Sequence, residues 1–344
     1  MDRLAMDLFA GCGGLSQGLA SAGFKVVAAA EIREEARATY SLNHPDVPTY
    51  GDVRELTGRE LMENAGIGTG RLDLLAACPP CQGFSSIRTR NGGVARDERN
   101  ELIFEVLRLC LEIFPKCVLI ENVPALLEDW RLKKFMDRLS GDYEFTPGLL
   151  DAQDYGVPQR RRRMILLGSR FGKIPLPAPW EKKRTVADAI GGLPRPEDRH
   201  KLPLHRIRQQ LTEKVLARVR KISRNRSELP EEMQLACHRK CPGGFRDVYG
   251  RMDWNEVAPT ITRSSHNPSK GRFLHPSQDR GITLYEAKLL QGFPRSYKFP
   301  VDYGITKISS MIGEAIPPPF GKAHGLAILR HLEQHDPGPL QGGN

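Results

Sequence analysis

The stretch Asp7-Leu8-Phe9-Ala10-Gly11-Cys12-Gly13-Gly14-Leu15 closes an apolar run and opens a helical pattern. Its glycines let the backbone turn sharply and approach a ligand closely. A glycine-rich strand-to-helix turn suits many nucleotide-binding folds, so its neighbours decide what it holds. Lys25 to Ala30 reads as a second strand, and Glu31 follows it, where an acid can accept both hydroxyls of a ribose. Asp52, in Gly51-Asp52-Val53, ends what reads as a third strand, where an acid can take an adenine amino group. Taken singly, either acid is equally a helix cap or a loop carboxylate. No Gly-Lys-Ser/Thr follows the glycines, so a triphosphate is poorly served. A ligand with ribose and adenine but no phosphate fits better, and S-adenosylmethionine is such a ligand.

Outward from that turn, short apolar runs alternate with helical patterns. Leu4 to Ala10, Leu72 to Ala77, Cys117 to Ile120 and Met164 to Gly168 read as strands. Leu15 to Ala22, Ile32 to Leu42 and Glu101 to Phe114 read as helices. The alternation predicts an α/β domain with a mostly parallel sheet. Composition shifts near Lys173, where Ile174-Pro175-Leu176-Pro177-Ala178-Pro179-Trp180 is too proline-rich for a sheet interior. Beyond it, Ile207, Leu211, Val215, Val219 and Ile222 fall at helical spacing and predict one basic amphipathic helix over 205–222. Its basic face is either solvated or set against a nucleic-acid backbone. Helical spacing returns at Leu284 to Leu290 and Pro318 to His331. The expected organisation is a catalytic and cofactor-binding domain over 1–175 and a loop-rich target-recognition domain over 176–272. A return segment over 273–333 completes the first domain, and 334–344 is a Gly- and Pro-rich tail expected to be disordered.

Lys plus Arg at 51 against Asp plus Glu at 41 gives a net charge of +10, which favours a polyanionic partner. Seven cysteines, an odd number in a chain of 344 residues, suit reduced thiols better than disulfide staples. The start lacks a signal-peptide core, and no stretch approaches the roughly 20 apolar residues of a membrane span. A cytoplasmic protein is expected.

Three further segments carry chemistry. Cys81 stands in Cys78-Pro79-Pro80-Cys81-Gln82-Gly83-Phe84-Ser85, a proline-stiffened loop. Glu121-Asn122-Val123 follows an apolar run, and Gln159-Arg160-Arg161-Arg162-Arg163 is an arginine cluster. A thiol, a carboxylic acid and an arginine can together attack a ring carbon, protonate a ring nitrogen and hold a polar base edge. Each has a plainer reading: a Cys-x-x-Cys redox pair or half a zinc site with Cys237 and Cys241, a strand-end carboxylate, a solvated basic patch. Their joint order outweighs those readings, and no metal is expected.

In that order and spacing the chain resembles the DNA cytosine-C5 methyltransferases, from Asp7 to about Ile328, with the weakest likeness between Pro175 and Arg251. The resemblance implies a Rossmann-like S-adenosylmethionine-dependent domain beside a smaller target-recognition domain. It implies Cys81 as nucleophile, Glu121 as acid, Asn122 as a support and Arg163 on the cytosine O2 edge. Gln159 and Arg161 would shape the loop around it. The cofactor set it implies is Phe9, Gly11, Cys12, Gly13, Glu31, Ile32, Asp52, Val53, Pro80, Leu102, Glu314 and Ala315. Many members carry Asn where this chain has Glu314. The substrate implied is a flipped-out cytosine in a short duplex DNA sequence. Arg239, Lys240, Arg246 and Arg251 then suit phosphate contacts or guanine readout. A cognate restriction endonuclease and a monomeric enzyme are further expectations. A tRNA cytosine methyltransferase shares the catalytic set, but that branch usually carries Cys-Phe-Thr, which is absent here. A silent relative would be expected to have lost Cys81 or Glu121, and both are present.

Overall fold

A computed structural model describes residues 2–80, 98–198, 202–222 and 248–336. The chain forms two compact units, Met1–Asp151 with Arg162–Pro179 and Pro318–Asn344, and Ala152–Arg161 with Trp180–Pro317.

The first unit is built on β1 (Arg3–Leu8), β2 (Phe24–Ala30), β3 (Thr49–Tyr50), β4 (Leu74–Ala77), β5 (Cys117–Asn122), β6 (Glu144–Asp151) and β7 (Arg162–Ser169). They form one sheet in the order β3-β2-β1-β4-β5-β7-β6. β1 to β5 pair in parallel, whereas β7 runs antiparallel between β5 and β6. The sheet is thus mixed, parallel where the ligand motifs end and antiparallel at one side. β4 and β5 are buried along their whole length, as central strands should be, and β5 carries two polar residues, Glu121 and Asn122, at its buried end. Each leucine taken fully out of water here contributes roughly 1.5–3 kcal/mol.

Among the described residues, these strands are accompanied by α1 (Gly14–Ala22), α2 (Glu34–Asn43), α3 (Gly58–Ala65), α4 (Ile103–Ile113) and α5 (Trp130–Leu139). The second unit carries α6 (Val186–Ile190), α7 (Pro203–Arg206), α8 (Glu213–Lys221), α9 (Leu284–Leu290) and α10 (Gly304–Glu314), and α11 (Pro318–His335) returns to the first. The segment expected from 273 onward therefore divides, with 273–317 in the second unit and the helix from 318 in the first. α11 crosses α1 closely: a Cβ on Gly18 would lie 2.5 Å from Pro318 O and 2.8 Å from Lys322 N. α11 also runs past Gln334, where the tail was expected to begin. Asp336 then pairs with Arg3 and Lys116, at 2.9 and 2.6 Å, and both cations also hold Asp73.

The single helix expected over 205–222 is two. Ile207 is extended, and Thr212 starts afresh as a cap that accepts a hydrogen bond from Val215 N. Val219 and Ile222 still reach a core, made with Val248, Tyr249 and Leu274. No helix among the described residues is long and apolar enough to cross a membrane.

Candidate active site

The carboxyl ends of β1 to β5 lie along one edge of the parallel sheet, the edge at which open α/β sheets bind ligands. The order reverses between β1 and β4, which places a switch point between the glycine turn and the Cys78-Pro79-Pro80 segment. Three residues of the turn adopt left-handed backbone, Phe9 at φ 59°, Gly11 at 56° and Gly13 at 93°. Phe9 holds this conformation against the usual penalty for a side chain, which marks the turn as constrained.

A line of hydrogen bonds ties that edge together. Glu31 N donates to Tyr50 O at 3.0 Å, and Cys78 N donates to Leu8 O at 3.1 Å. Gly11 N donates to Glu31 Oε2 at 2.9 Å, and Asn122 Nδ2 donates to Pro79 O at 2.9 Å. The last bond fixes the backbone two residues before Cys81, which itself lies outside the described residues.

Under the turn, Asp7 is wholly buried. Ser16 Oγ donates to Asp7 Oδ2 at 2.6 Å, and Tyr40 Oη donates to Ser16 Oγ at 2.8 Å. Asp7 Oδ1 has no hydrogen-bond partner. Burial pushes this carboxyl up to about 7, with Ser16 pulling the other way.

Glu31 is buried, and its Oε1 accepts from Arg33 N at 2.9 Å and from Arg33 Nε at 3.3 Å. Asp52 caps the turn Val53–Glu55 and accepts from Arg54 N at 3.0 Å. The Arg54 side chain folds over the same carboxylate and holds it below the usual range. Ile32, beside Glu31, leaves 59% of its surface exposed. Val53 is buried with its carbonyl held by Arg108 at 3.0 Å. Leu102 opens α4 and packs half-buried in the cluster that includes Phe9. Cys12 is buried, and Pro80 is half-buried at the end of the described segment.

These residues fit an adenosine ligand without phosphate. A Cβ placed on Gly11 would meet nothing within 4 Å, so the turn faces open space and not packed protein. Two acids follow the next two strand ends on one side of that turn, and an exposed aliphatic side chain stands beside one of them. Glu314 and Ala315 belong to the second unit. There Arg263 Nη1 lies 3.5 Å from Glu314 Oε1, and Ala315 O accepts from Gln291 Nε2 at 2.6 Å.

At the next strand end Glu121 and Asn122 are both buried. Arg163 Nε lies 3.0 Å from Glu121 Oε1, an ion pair without hydrogen-bond alignment. Gln159 and Arg161 are in the second unit and serve its loops. Gln159 Nε2 donates to Leu290 O at 3.0 Å and Gln291 Oε1 at 2.6 Å, while its own Oε1 accepts from Ile261 N. Arg161 Nη1 donates to Ile261 O and Gly313 O. Gln291 thereby links Gln159 to Ala315, and so the Gln-x-Arg run to the segment that follows α10.

One expected nucleic-acid contact is corrected. Arg251 is only 2% exposed and donates to the carbonyls of Val219, Ile222, His275 and Gln278, with Asp279 as ion-pair partner. It fastens the end of α8 to a neighbouring loop and is spent there. Arg239, Lys240 and Arg246, like Cys237 and Cys241, lie outside the described residues. Among the described residues no group of three His, Cys, Asp or Glu could hold a metal ion. Sequence reasoning missed Arg33 and Arg54, although Glu31-Ile32-Arg33 and Asp52-Val53-Arg54 share one acid-x-Arg spacing.

A seven-stranded mixed sheet, parallel over β1 to β5 and flanked by helices, is consistent with a Rossmann-like methyltransferase fold, and solved structures agree. The chain aligns over 96% of its length with 99% of a putative DNA modification methyltransferase from an Escherichia coli prophage, at TM-score 0.74 and 27% identity. The Dnmt2 methyltransferase of S. pombe, at TM-score 0.63 and 18% identity, shares the fold. Residues 4–330 match the C-5 cytosine-specific DNA methylase profile, and the chain belongs to that family. It is similar to the Type II methylase M.HgiDII of Herpetosiphon aurantiacus, 34% identical over 95% of both chains. The protein is a DNA (cytosine-5)-methyltransferase.

Proposed function

We propose that the protein transfers the methyl group of S-adenosylmethionine to C5 of a cytosine flipped out of a short duplex DNA sequence, through a transient bond between Cys81 Sγ and C6. Cytosine C5 is a poor nucleophile until a thiolate adds at C6 and makes it enamine-like. Cys81 supplies that thiolate. Glu121 gives or shares a proton at N3, and Arg163, 3.0 Å from Glu121, is within reach of the neighbouring O2 edge. Asn122 holds the carbonyl of Pro79 and so the path of the chain toward Cys81. When bound, S-adenosylmethionine supplies the electrophilic methyl carbon. Glu31 accepts its ribose hydroxyls, Asp52 its adenine amino group, and Phe9 and Ile32 give the base apolar cover. Loss of the C5 proton then allows the thiolate to leave, which restores the ring and the enzyme.

The observation that carries this reading is the Glu121–Arg163 pair at the strand end beside the Pro79–Asn122 bond. The likeness to a Type II methylase supports a restriction-modification setting with a cognate endonuclease. A monomer acting on cytoplasmic, nucleoid DNA suits the basic charge. The division of labour is a first unit for catalysis and cofactor and a second for target recognition. Incubation with S-adenosylmethionine and duplex DNA carrying 5-fluorocytosine tests the whole scheme, since fluorine blocks elimination. A covalent adduct mapping to Cys81 is expected. An adduct on fluorinated tRNA alone would transfer the reading to RNA, and an adduct at any other residue would overturn the nucleophile.

A further inference from the structure

Asp52 and Glu31 are each followed two residues later by an arginine that folds back on its carboxylate, yet the two arrangements differ. Among the described residues Asp52 is held by Arg54 alone: the backbone N at 3.0 Å from Oδ1, Nε at 3.0 and 2.9 Å from the two oxygens, and Nη2 at 2.5 Å from Oδ2. Glu31 has independent backbone support from Gly11 N and Arg33 N, both at 2.9 Å, and Arg33 Nε stands off at 3.3 Å. A carboxylate offers roughly four lone-pair positions. The three N–H donors of Arg54, with Nε shared between both oxygens, fix the plane of the Asp52 carboxylate, so that an exocyclic amino group would meet it in one orientation. Without the Arg54 side chain, one backbone bond would remain and the carboxylate could turn about its own axis. Resting on the S-adenosylmethionine reading above, we infer that Arg54 is a positioning residue that aims Asp52 at the adenine amino group and so sets selectivity for adenine.

Titration calorimetry of the intact protein tests this without turnover. The ligands are S-adenosylhomocysteine and its 6-oxo analogue, S-inosylhomocysteine, which has no amino group to donate to Asp52. Wild type should prefer the adenine ligand. Arg54→Ala should weaken that ligand about tenfold, the scale of one oriented hydrogen bond to a charged group, and leave the 6-oxo ligand nearly unchanged. Arg54→Lys should recover part of the loss, because an ammonium supplies charge without the planar fork. In an Asp52→Asn background Arg54→Ala should add nothing, as coupled neighbours require. Equal loss on both ligands would expose a merely structural role for Arg54, and unchanged affinity for S-adenosylhomocysteine would remove the role altogether. A wild-type protein that binds neither ligand would defeat the cofactor reading itself.

Discussion

Glu121 and Arg163 are diagonal neighbours on one face of the antiparallel β5–β7 pair. Glu121 stands opposite Ile165, and Arg163, two residues before it on the same face, brings Nε to 3.0 Å from Glu121 Oε1. The antiparallel entry of β7 beside β5 is what lets a residue late in the chain meet one at a parallel strand end. Glu121→Gln keeps the shape and removes the proton. It should lower the rate by roughly 10²-fold or more while S-adenosylhomocysteine binds as before. Steady-state kinetics with calorimetry on the same sample checks both, and an unchanged rate removes Glu121 from the mechanism.

Cys81→Ser should abolish methyl transfer and leave cofactor affinity within a few-fold of wild type, because a hydroxyl is far less acidic and less nucleophilic than a thiol and adds poorly to a ring carbon. Turnover near the wild-type rate would refute the covalent route.

Asp7 predicts a pH dependence of stability. Its carboxyl is raised to about 7 by burial, above its ordinary value near 3.8. A raised pKa means the folded state keeps a proton that the unfolded chain has lost. The resulting stabilisation is full below about pH 4 and is lost as pH rises through 7, a few kcal/mol at most. Asp7→Asn mimics the protonated acid and should flatten that slope. Urea melts of both proteins between pH 5 and 8 should diverge, and parallel curves would show that Asp7 titrates normally.

Gly18→Ala puts a methyl group against the backbone of Pro318 and Lys322, where no side chain can move aside. The crossing of α1 and α11 must widen, at a cost of about 1–3 kcal/mol. Because α1 begins at the cofactor turn, weaker binding of S-adenosylhomocysteine should accompany the lower melting temperature.

Arg251→Ala should destabilise the second unit by about 2–4 kcal/mol, since it strips a donor from four carbonyls, of which only those of Val219 and Gln278 keep a backbone N–H, and leaves the Asp279 carboxylate without this ion pair. If Arg251 instead touched DNA, the same variant would melt like wild type and lose DNA affinity with a shallower salt dependence.

The apolar strands were legible because their burial is complete: β4 and β5 read as strands from composition alone. β6 was not, since it contains Pro147 and Gly148 and is buried on neither face throughout, as an edge strand can be. The 205–222 periodicity persisted through a helix break because Leu211, Val215 and Val219 serve one core from both sides of the Thr212 cap. Glu31, Asp52 and the glycine turn were legible because strand ends fix their address. Arg251 was misread because charge says nothing of burial, and only the carbonyls gathered around it reveal its task. Arg33 and Arg54 were overlooked because a local fold-back two residues away leaves no periodic trace.

The run Gln159 to Arg163 has a consequence for engineering. Gln159 and Arg161 are bonded into carbonyls and amides of the second unit, while Arg163 is paired with Glu121 in the first. A chimera that imported residues 180–317 from a relative to change sequence specificity would leave Gln159 and Arg161 against foreign partners. The transplant has to carry 152–161 with it, with seams at 151/152, 161/162, 179/180 and 317/318. The second unit is thus a cassette of two pieces, and its smaller piece is ten residues of what reads, along the chain, as catalytic sequence.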